Sequence, residues 1–503
     1  MKFFFYSKQG DSLSTAERVA KEGNEVAFYV QEKTPGSTIG EGIVPMVDHI
    51  ALRPDSVIVF DNVGNGPLAD SFRKEGWPVF GASDFADRIE LDRRQGQALM
   101  RMAGIDTPRT KPFTDFGAAR LFMKQHPEFA VFKPNGNISV ALTKVFHDSE
   151  EMSKYFEWLE KRWTQEIDFI LQEKVEGVEL SVEGWFNGEE WIFGSFNSTL
   201  EEKRFMNDGV GPHTGCSGNV CWFYKHARPA IVKNTLLKLT RFLKQKSYRG
   251  PLDINTKGGK GLEFTARLGY DAWQTQMGLL QMEVGRLLSD VARGTIRKMR
   301  VGYDFGIGVR LSVPPYPLEG AYQELEKTRG KPVTIPASVR ADFHPFDLSV
   351  GSEGLGLAGT DGWLGVMTHT SSTLSGLARV YDKIKKVEVD ELQYRTDILT
   401  YRAMREIPQI LAAVSLEGDT SLESALKEKT RTYPSKREVE VKKPVVELEP
   451  TTQGIEKTTQ QMRTRVINKE ESSEPEEVVA ASSKPKTGIE GATDAMWGKI
   501  IKL

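Results

Sequence analysis

Pro251-Leu252-Asp253-Ile254-Asn255-Thr256-Lys257-Gly258-Gly259-Lys260-Gly261-Leu262-Glu263-Phe264-Thr265-Ala266-Arg267 reads as two short runs in which apolar and polar residues alternate, joined by a glycine pair. Alternation with a period of two marks a strand with one face toward a core, and Gly-Gly between two such runs marks a hairpin. The pairing brings Asp253 and Glu263 to one face. Thr265, two residues beyond Glu263, shares that face. Hard oxygen donors side by side, with Arg267 close behind, suit Mg²⁺ held against a nucleotide triphosphate. A surface hairpin with charged faces gives the same spacing.

The neighbouring segments extend the pattern. Val178 to Phe186 is a strand-like run, and Asn187-Gly188 turns it toward Trp191 to Phe196, a strong hairpin signal. Ile167 to Val175 is another such run. Ala130 to Pro134 is a strand that carries Lys133 into a turn at Asn135-Gly136-Asn137, whose backbone N–H groups could cover phosphates. A solvated strand end fits that lysine equally well. Glu202 to Gly218 is glycine-rich and reads as a long loop, with Lys203, Arg204, Asp208 and His213 as a mixed-charge lining for a small zwitterion or a phosphate. The middle of the chain is therefore β-rich and antiparallel.

Strand and helix alternate at the start: Lys2 to Tyr6, a helix through Ala20 opened by a Ser14/Glu17 capping box, Glu25 to Val30, Asp55 to Phe60, Leu68 to Glu75, and Pro78 to Phe80. That order predicts a parallel sheet. No G-x-G-x-x-G follows the first strand, so a structural lobe that helps to hold substrate is expected rather than a dinucleotide site. Arg88 to Ala103 is expected to be helical. Short strands and one helix near Leu374 to Ile384 fill Arg310 to Asp397. Ser435 to Lys486 has the composition of a disordered segment, and the apolar tip at Asp494 to Leu503 suits either docking to a protein partner or packing back on the body.

Composition sets outer limits. The 503 residues are 39% hydrophobic, low for a chain folded throughout. Lys and Arg number 67 against 69 Asp and Glu, so no bulk charge draws the chain to nucleic acid or to a membrane surface. No apolar run is long enough to span a membrane. The two cysteines, Cys216 and Cys221, cannot build a disulfide framework and match no common zinc spacing, which predicts a cytoplasmic setting.

Taken in order, five segments resemble the phosphoribosylamine–glycine ligase (glycinamide ribonucleotide synthetase) family of the ATP-grasp superfamily. Gln172-Glu173-Lys174-Val175-Glu176-Gly177-Val178-Glu179-Leu180-Ser181 is similar to its hinge motif. Glu202-Lys203-Arg204 with Asp208 to Cys216 looks like its glycine-rich loop. Gly250-Pro251-Leu252, Glu263 to Gln274, and Tyr394-Arg395-Thr396-Asp397-Ile398 match later motifs. The likeness spans roughly residues 1 to 400.

The resemblance implies an α/β (α+β overall) ATP-grasp fold: a Rossmann-like N-terminal domain (1–104), an ATP-grasp domain (105–300), a C-terminal β-rich module (301–402) and a tail (403–503). It implies an ATP-dependent carboxylate–amine ligase of the purine-synthesis type that acts through an acyl phosphate, with ATP and Mg²⁺ (or Mn²⁺). Its substrates would be a glycine-like carboxylate and an amine, with no membrane or nucleic-acid partner. Glu173 and Val175 would meet the adenine through backbone groups, Glu179 the ribose, and Lys133 and Arg93 the phosphates. Glu263, Asp253 and Thr265 would hold the metal. Arg267 would steady the phosphate in flight, while Lys203, Asp208, Gly211, Thr214 and Gly215 would line the acceptor site.

The departures fall around the metal and the acceptor. Thr265 stands where the family has asparagine, the loop after Lys133 lacks G-K-G, and Gly269-Tyr270-Asp271-Ala272 replaces G-D-P-E. A ligase for another amine, such as a modified nucleotide or an amino acid, and a degenerate ATP-grasp interaction protein are the alternatives these changes raise.

Overall fold

Four aromatic side chains in a row, Phe3 to Tyr6, make the first strand apolar on both faces, and such a strand must be covered on both. In the computed structural model, which describes residues 1–135, 143–161, 167–226, 229–302, 304–318 and 321–398, it is β1 (Lys2–Ser7) at the centre of a parallel sheet. With β2 (Glu25–Val30), β3 (Val57–Phe60) and β4 (Val79–Phe80) the order is β2-β1-β3-β4. Helices α1 (Leu13–Lys21) and α2 (Gly66–Lys74) make the crossovers. The expected capping box is not what starts α1. Ser12 is its N-cap residue, Ser14 is already inside the helix, and Glu17 pairs with Lys21 and Arg340. A tertiary partner has displaced the local signal, because the Ser12 hydroxyl donates to Asp61.

The helix expected over Arg88 to Ala103 is two helices, α3 (Asp84–Leu91) and α4 (Arg93–Met102). Asp92 between them is extended, and its carboxylate accepts from the backbone N–H groups of Arg94 and Gln95 at 2.9 and 3.2 Å. An aspartate that satisfies the free amides of a helix start favours such a break. Beyond α4 a small antiparallel sheet follows, in the order β5-β8-β6-β7: β5 (Thr110–Phe113), β6 (Val131–Pro134), β7 (Lys144–Val145) and β8 (Phe169–Gln172). Helices α5 (Phe116–Gln125) and α6 (Ser149–Glu160) cover it through a cluster of phenylalanines. Residues 136–142, where the phosphate loop was expected, lie outside the described residues, as does the whole tail from 399 onward.

The third sheet is the frame of the molecule. It has eight strands: β9 (Glu179–Asn187), β10 (Asn197–Arg204), β11 (His213–Phe223), β12 (Arg249–Lys257), β13 (Lys260–Thr265), β14 (Phe305–Ser312), β15 (Phe343–Pro345) and, after the separate hairpin β16 (Leu348–Gly351) and β17 (Gly354–Leu357), β18 (Trp363–Ser371). Its order is β13-β12-β9-β10-β11-β14-β18-β15, so strands from the expected C-terminal module continue the sheet begun by the middle of the chain.

Two sequence expectations change here. Trp191 to Phe196 returns from the Asn187-Gly188 turn with a single bridge, Phe186 to Trp191, and regular pairing with β9 resumes only at Asn197. The Asn187 side chain holds the turn by accepting from the N–H groups of Glu189 and Glu190. The long loop expected at Glu202 to Gly218 is mostly strand: β10 and β11 pair as far out as Arg204 and His213, which leaves a tip of 205–212.

Period-two alternation gives this sheet two unlike faces. Leu180, Val182 and Phe186 of β9, Leu252 and Ile254 of β12, and Phe264 of β13 enter the main core. Each such buried side chain stabilises the fold by about 1.5–3 kcal/mol. The opposite face carries Glu179, Ser181, Glu183, Glu201, Lys203, Asp253, Asn255, Glu263 and Thr265. The register makes this explicit: Asp253 lies opposite Thr265 and Glu183, and Asn255 opposite Glu263 and Ser181. The expected Gly258-Gly259 turn is present with φ values of 54° and 81°, which glycine adopts without steric cost.

Candidate active site

The polar face of the large sheet, the end of the small sheet and the loops after β1 and β3 enclose one cleft of about 680 Å³. Its walls include the hinge from Gln172 to Glu176, Lys133, Glu179, Lys203, Asp253, Asn255, Glu263 and Thr265, and also Lys8, Gln9, Asn62 and Tyr270. Residues far apart in sequence thus meet in one space.

At its centre Glu263 draws the two sheets together. Arg93, the first residue of α4, donates to its carboxylate, and Lys133 Nζ stands 3.5 Å from Oε2. Arg93 is itself fixed on β6: its Nε donates to the Pro134 carbonyl at 3.1 Å and its backbone N–H to Asn135 Oδ1 at 3.0 Å. Burial penalises the Glu263 charge, but Lys133, Arg93 and Lys203 outweigh it and hold the carboxyl well below the usual range. Burial pushes the Lys133 ammonium down from its ordinary value, with Glu263 opposing. The site is therefore charged and partly buried, with its opposite charges paired internally.

Lys203 reaches Glu179 at 2.7 Å, Glu201 at 3.7 Å and Asn255 Oδ1 at 3.3 Å. Burial lowers its pKa, yet the surrounding carboxylates Glu179, Glu201 and Glu263 raise it overall. Asp253 is 8% exposed and accepts from the Ser181 hydroxyl, while its Oδ1 has no hydrogen-bond partner among the described residues. Burial first, then Glu183 and Glu201, raises its pKa well above the carboxylate range. A buried carboxylate oxygen without a partner is costly unless a ligand completes it.

At the hinge, the Glu173 carboxylate is held by Arg109 Nε at 3.3 Å and by its backbone N–H at 3.2 Å. That turns the side chain away; the Glu173 and Lys174 N–H groups donate to the Arg109 and Glu128 carbonyls at 2.9 Å, which leaves the Val175 N–H for a planar ligand. Arg267 lines the cleft, with Nε on Glu90 at 3.1 Å and one terminal nitrogen on the Leu268 carbonyl. Of the predicted acceptor residues, Gly215 lines the cleft. Asp208 and Gly211 stand in the β10–β11 tip, where the Asp208 N–H donates to Asp397 and the Gly211 carbonyl accepts from Arg204. The Thr214 hydroxyl pairs with Ser217 at 2.6 Å.

Sequence reading missed several site residues. Asn255 and Glu201 lie two positions from Asp253 and Lys203, so the period-two rule could have supplied both. Behind the cleft lining, Arg310 and Asp271 form a buried bidentate pair at 2.6 and 3.0 Å, with Arg310 stacked 4.1 Å over the Trp363 ring, and no local signal announces them.

A magnesium nucleotide fits these residues. The orphaned Asp253 oxygen, the Glu263 carboxylate and the Thr265 hydroxyl share one face, and Lys133 and Arg93 supply positive charge beside them. Among the described residues no three acidic, histidine or cysteine side chains gather as a metal site of their own. A cation here would therefore need phosphate oxygens to complete its shell.

Comparison with known proteins agrees with this geometry. Residues 92–270 match the phosphoribosylglycinamide synthetase, ATP-grasp (A) domain family. A phosphoribosylamine–glycine ligase of Halalkalibacterium halodurans is 26% identical over 348 residues, covering 66% of this chain and 78% of its own length. Another, from Streptococcus suis, is 22% identical over 79% of this chain and 99% of its own. Among solved structures, the phosphoribosylamine–glycine ligase of Thermotoga maritima superposes with a TM-score of 0.62 at 20% identity, over 79% of this chain and all of that one. The biotin carboxylase domain of Hydrogenobacter thermophilus 2-oxoglutarate carboxylase, solved with MgADP, superposes with a TM-score of 0.56 at 11% identity, over 86% of this chain and 99% of that one. Residues 92–270 thus carry an ATP-grasp (A) domain of the phosphoribosylglycinamide synthetase type.

Proposed function

We propose that this chain is an ATP-dependent carboxylate–amine ligase that joins a small glycine-like carboxylate to an amine by way of an acyl phosphate. The observation that carries the reading is the meeting of Lys133, Arg93 and Glu263 in the cleft between the sheets. In the first step a carboxylate oxygen of the acid attacks the γ-phosphorus of ATP, and the bond to the β-phosphate oxygen breaks, releasing ADP. In the second, the amine nitrogen attacks the acyl carbon, phosphate departs with its bonding pair, and one proton leaves the nitrogen.

The protein needs no nucleophile of its own. It positions the reactants and offsets charge. Lys133 and Arg93 would face the phosphates, and Arg267 would stand beside the transferred group. Glu263, Asp253 and Thr265 would hold Mg²⁺, which when bound neutralises phosphate charge. Glu173 and Val175 would present main-chain groups to the base, and Glu179 would take the ribose hydroxyls once Lys203 is shared with substrate. A buried cleft also keeps water from the acyl phosphate.

A cytoplasmic setting belongs to the same proposal. Cys216 and Cys221 are buried and unpaired, as a reducing compartment allows. Among the described residues no helix is long and apolar enough to cross a membrane.

The test is Glu263→Gln in the full chain, with ADP release followed in the presence of MgATP, glycine and candidate amines. The variant should still unfold in one cooperative thermal transition and lose ADP formation by about a hundredfold or more. Undiminished ADP release would remove Glu263 from the metal site.

A further inference from the structure

The turn after the first strand of a parallel α/β sheet, at the start of the next helix, is where backbone N–H groups commonly cradle a phosphate. In this chain an internal carboxylate occupies that cradle. Asp61, buried just past β3, accepts from the Lys8 N–H at 3.0 Å, the Ser12 N–H at 3.1 Å, the Ser12 hydroxyl at 2.8 Å and the Ser7 hydroxyl. The Gly10 N–H is taken by Ser7 Oγ at 2.9 Å, and the Leu13 N–H by the Gly10 carbonyl at 3.0 Å. A second carboxylate, Asp11, stands in the same turn and accepts from Asn62 Nδ2 at 3.1 Å. Burial, then Asp61, pushes its pKa up to about 6.

The two arginines around this turn are committed to internal partners, and Lys8 stands at the edge of ion-pair reach of one. Lys8 faces Glu32 at 4.0 Å, Arg267 faces Glu90 at 3.1 Å, and Arg310 spends two nitrogens on Asp271. What lines the cleft there is Lys8, Gln9, Glu32 and Asn62, with the Tyr270 hydroxyl buried and without a partner among the described residues. A phosphate monoester, with close to two negative charges, would come up against a turn that already holds two carboxylates behind the cleft wall and whose Lys8, Gly10, Ser12 and Leu13 N–H groups are already taken. A hydroxyl or an ammonium would find acceptor oxygens on Gln9 and Glu32 of the cleft wall.

We propose that the amine acceptor of this enzyme carries no phosphate where it meets the β1–α1 turn and is neutral or cationic there, Asp61 having taken the phosphate's place. The proposal rests on the ligase reading above and narrows its substrate class: the acceptor differs from phosphoribosylamine by lacking the phosphate.

The experiment titrates the full chain, wild type, Asp11→Asn and Asp11→Glu, with ribose 5-phosphate by calorimetry in the presence of MgADP. A separate MgADP isotherm judges the nucleotide site, so failure of the ligase reading would show there and not in the sugar-phosphate titration. The wild type and Asp11→Glu should show no saturation up to about 10 mM, and Asp11→Asn should bind about tenfold tighter than either. Submillimolar binding of ribose 5-phosphate by the wild type, or no gain in Asp11→Asn, would overturn the proposal.

Discussion

Lys133 Nζ stands 3.5 Å from Glu263 Oε2, although the two residues are 130 positions apart and lie on different sheets. The contact ties the small sheet to the large one across the cleft. Each group holds the other in its charged form against burial. Removing either should therefore weaken nucleotide binding and also unsettle its partner. Lys133→Met should weaken MgATP affinity by about tenfold or more, and the double variant with Glu263→Gln should fall short of the sum of the single effects by about 0.5–3 kcal/mol. Calorimetric titration of the four proteins measures both quantities, and strict additivity would show that the pair acts as two separate groups.

The break between α3 and α4 aims Arg93 at the cleft, and Asp92 makes the break. Asp92→Ala should cost about 1 kcal/mol of stability through the lost helix cap. It should also raise KM for ATP while leaving KM for the acid unchanged, since Arg93 loses its fixed start. Denaturant titration and steady-state kinetics separate the two effects. An unchanged KM for ATP would mean that the bonds from Arg93 to Pro134 and Asn135 suffice to place it.

Arg310 and Asp271 form a buried bidentate pair beneath Trp363. Truncating one partner leaves the other charge buried and uncompensated, and Arg310→Met should destabilise the protein by about 3–5 kcal/mol. Chemical denaturation monitored by tryptophan fluorescence reads this directly. A loss below about 1 kcal/mol would show that the pair is solvated in the native state.

Asp361 sits beside the buried Asp347, and burial followed by that neighbour pushes its pKa up to about 7. Its folded value thus lies above the unfolded one, near 3.9. The folded state binds the proton more tightly, so this group's contribution to stability is most favourable below about pH 4 and is lost as pH rises through about 7. Asp361→Asn keeps an oxygen for the Trp363 N–H, which donates at 2.7 Å, and removes the repulsion. The variant should be more stable than wild type at pH 8 by about 1–3 kcal/mol, with the gain fading toward pH 4. A pH series of thermal melts checks the sign, and a gain that grows toward acid would reverse the assignment.

How much of the fold and the cleft is legible in the sequence depends on the range of the physics involved. The β12–β13 hairpin is readable because alternation and the glycine pair are local, and that pattern by itself puts Asp253, Glu263 and Thr265 on one face. The parallel β1–β4 sheet is readable for the same reason. The β10–β11 tip misleads because Gly209, Gly211 and Gly215, all at positive φ, suit a hairpin end as well as a loose loop. The start of α1 misleads because Ser12 is bound by Asp61, 49 positions away. The engagement of Arg267 by Glu90, and the whole Asp11–Asp61 arrangement, depend on contacts between elements that no short pattern encodes. Charge type and spacing thus reveal the chemistry of the cleft, while the pairing partners that tune it come from topology.

In this cleft the acid would be activated by direct phosphorylation. The most direct measurement uses glycine carrying heavy oxygen in its carboxylate, with MgATP and an amine that supports turnover, and follows the label by mass spectrometry. The inorganic phosphate released should carry one labelled oxygen from the carboxylate for each amide formed. Unlabelled phosphate released alongside amide formation would contradict it.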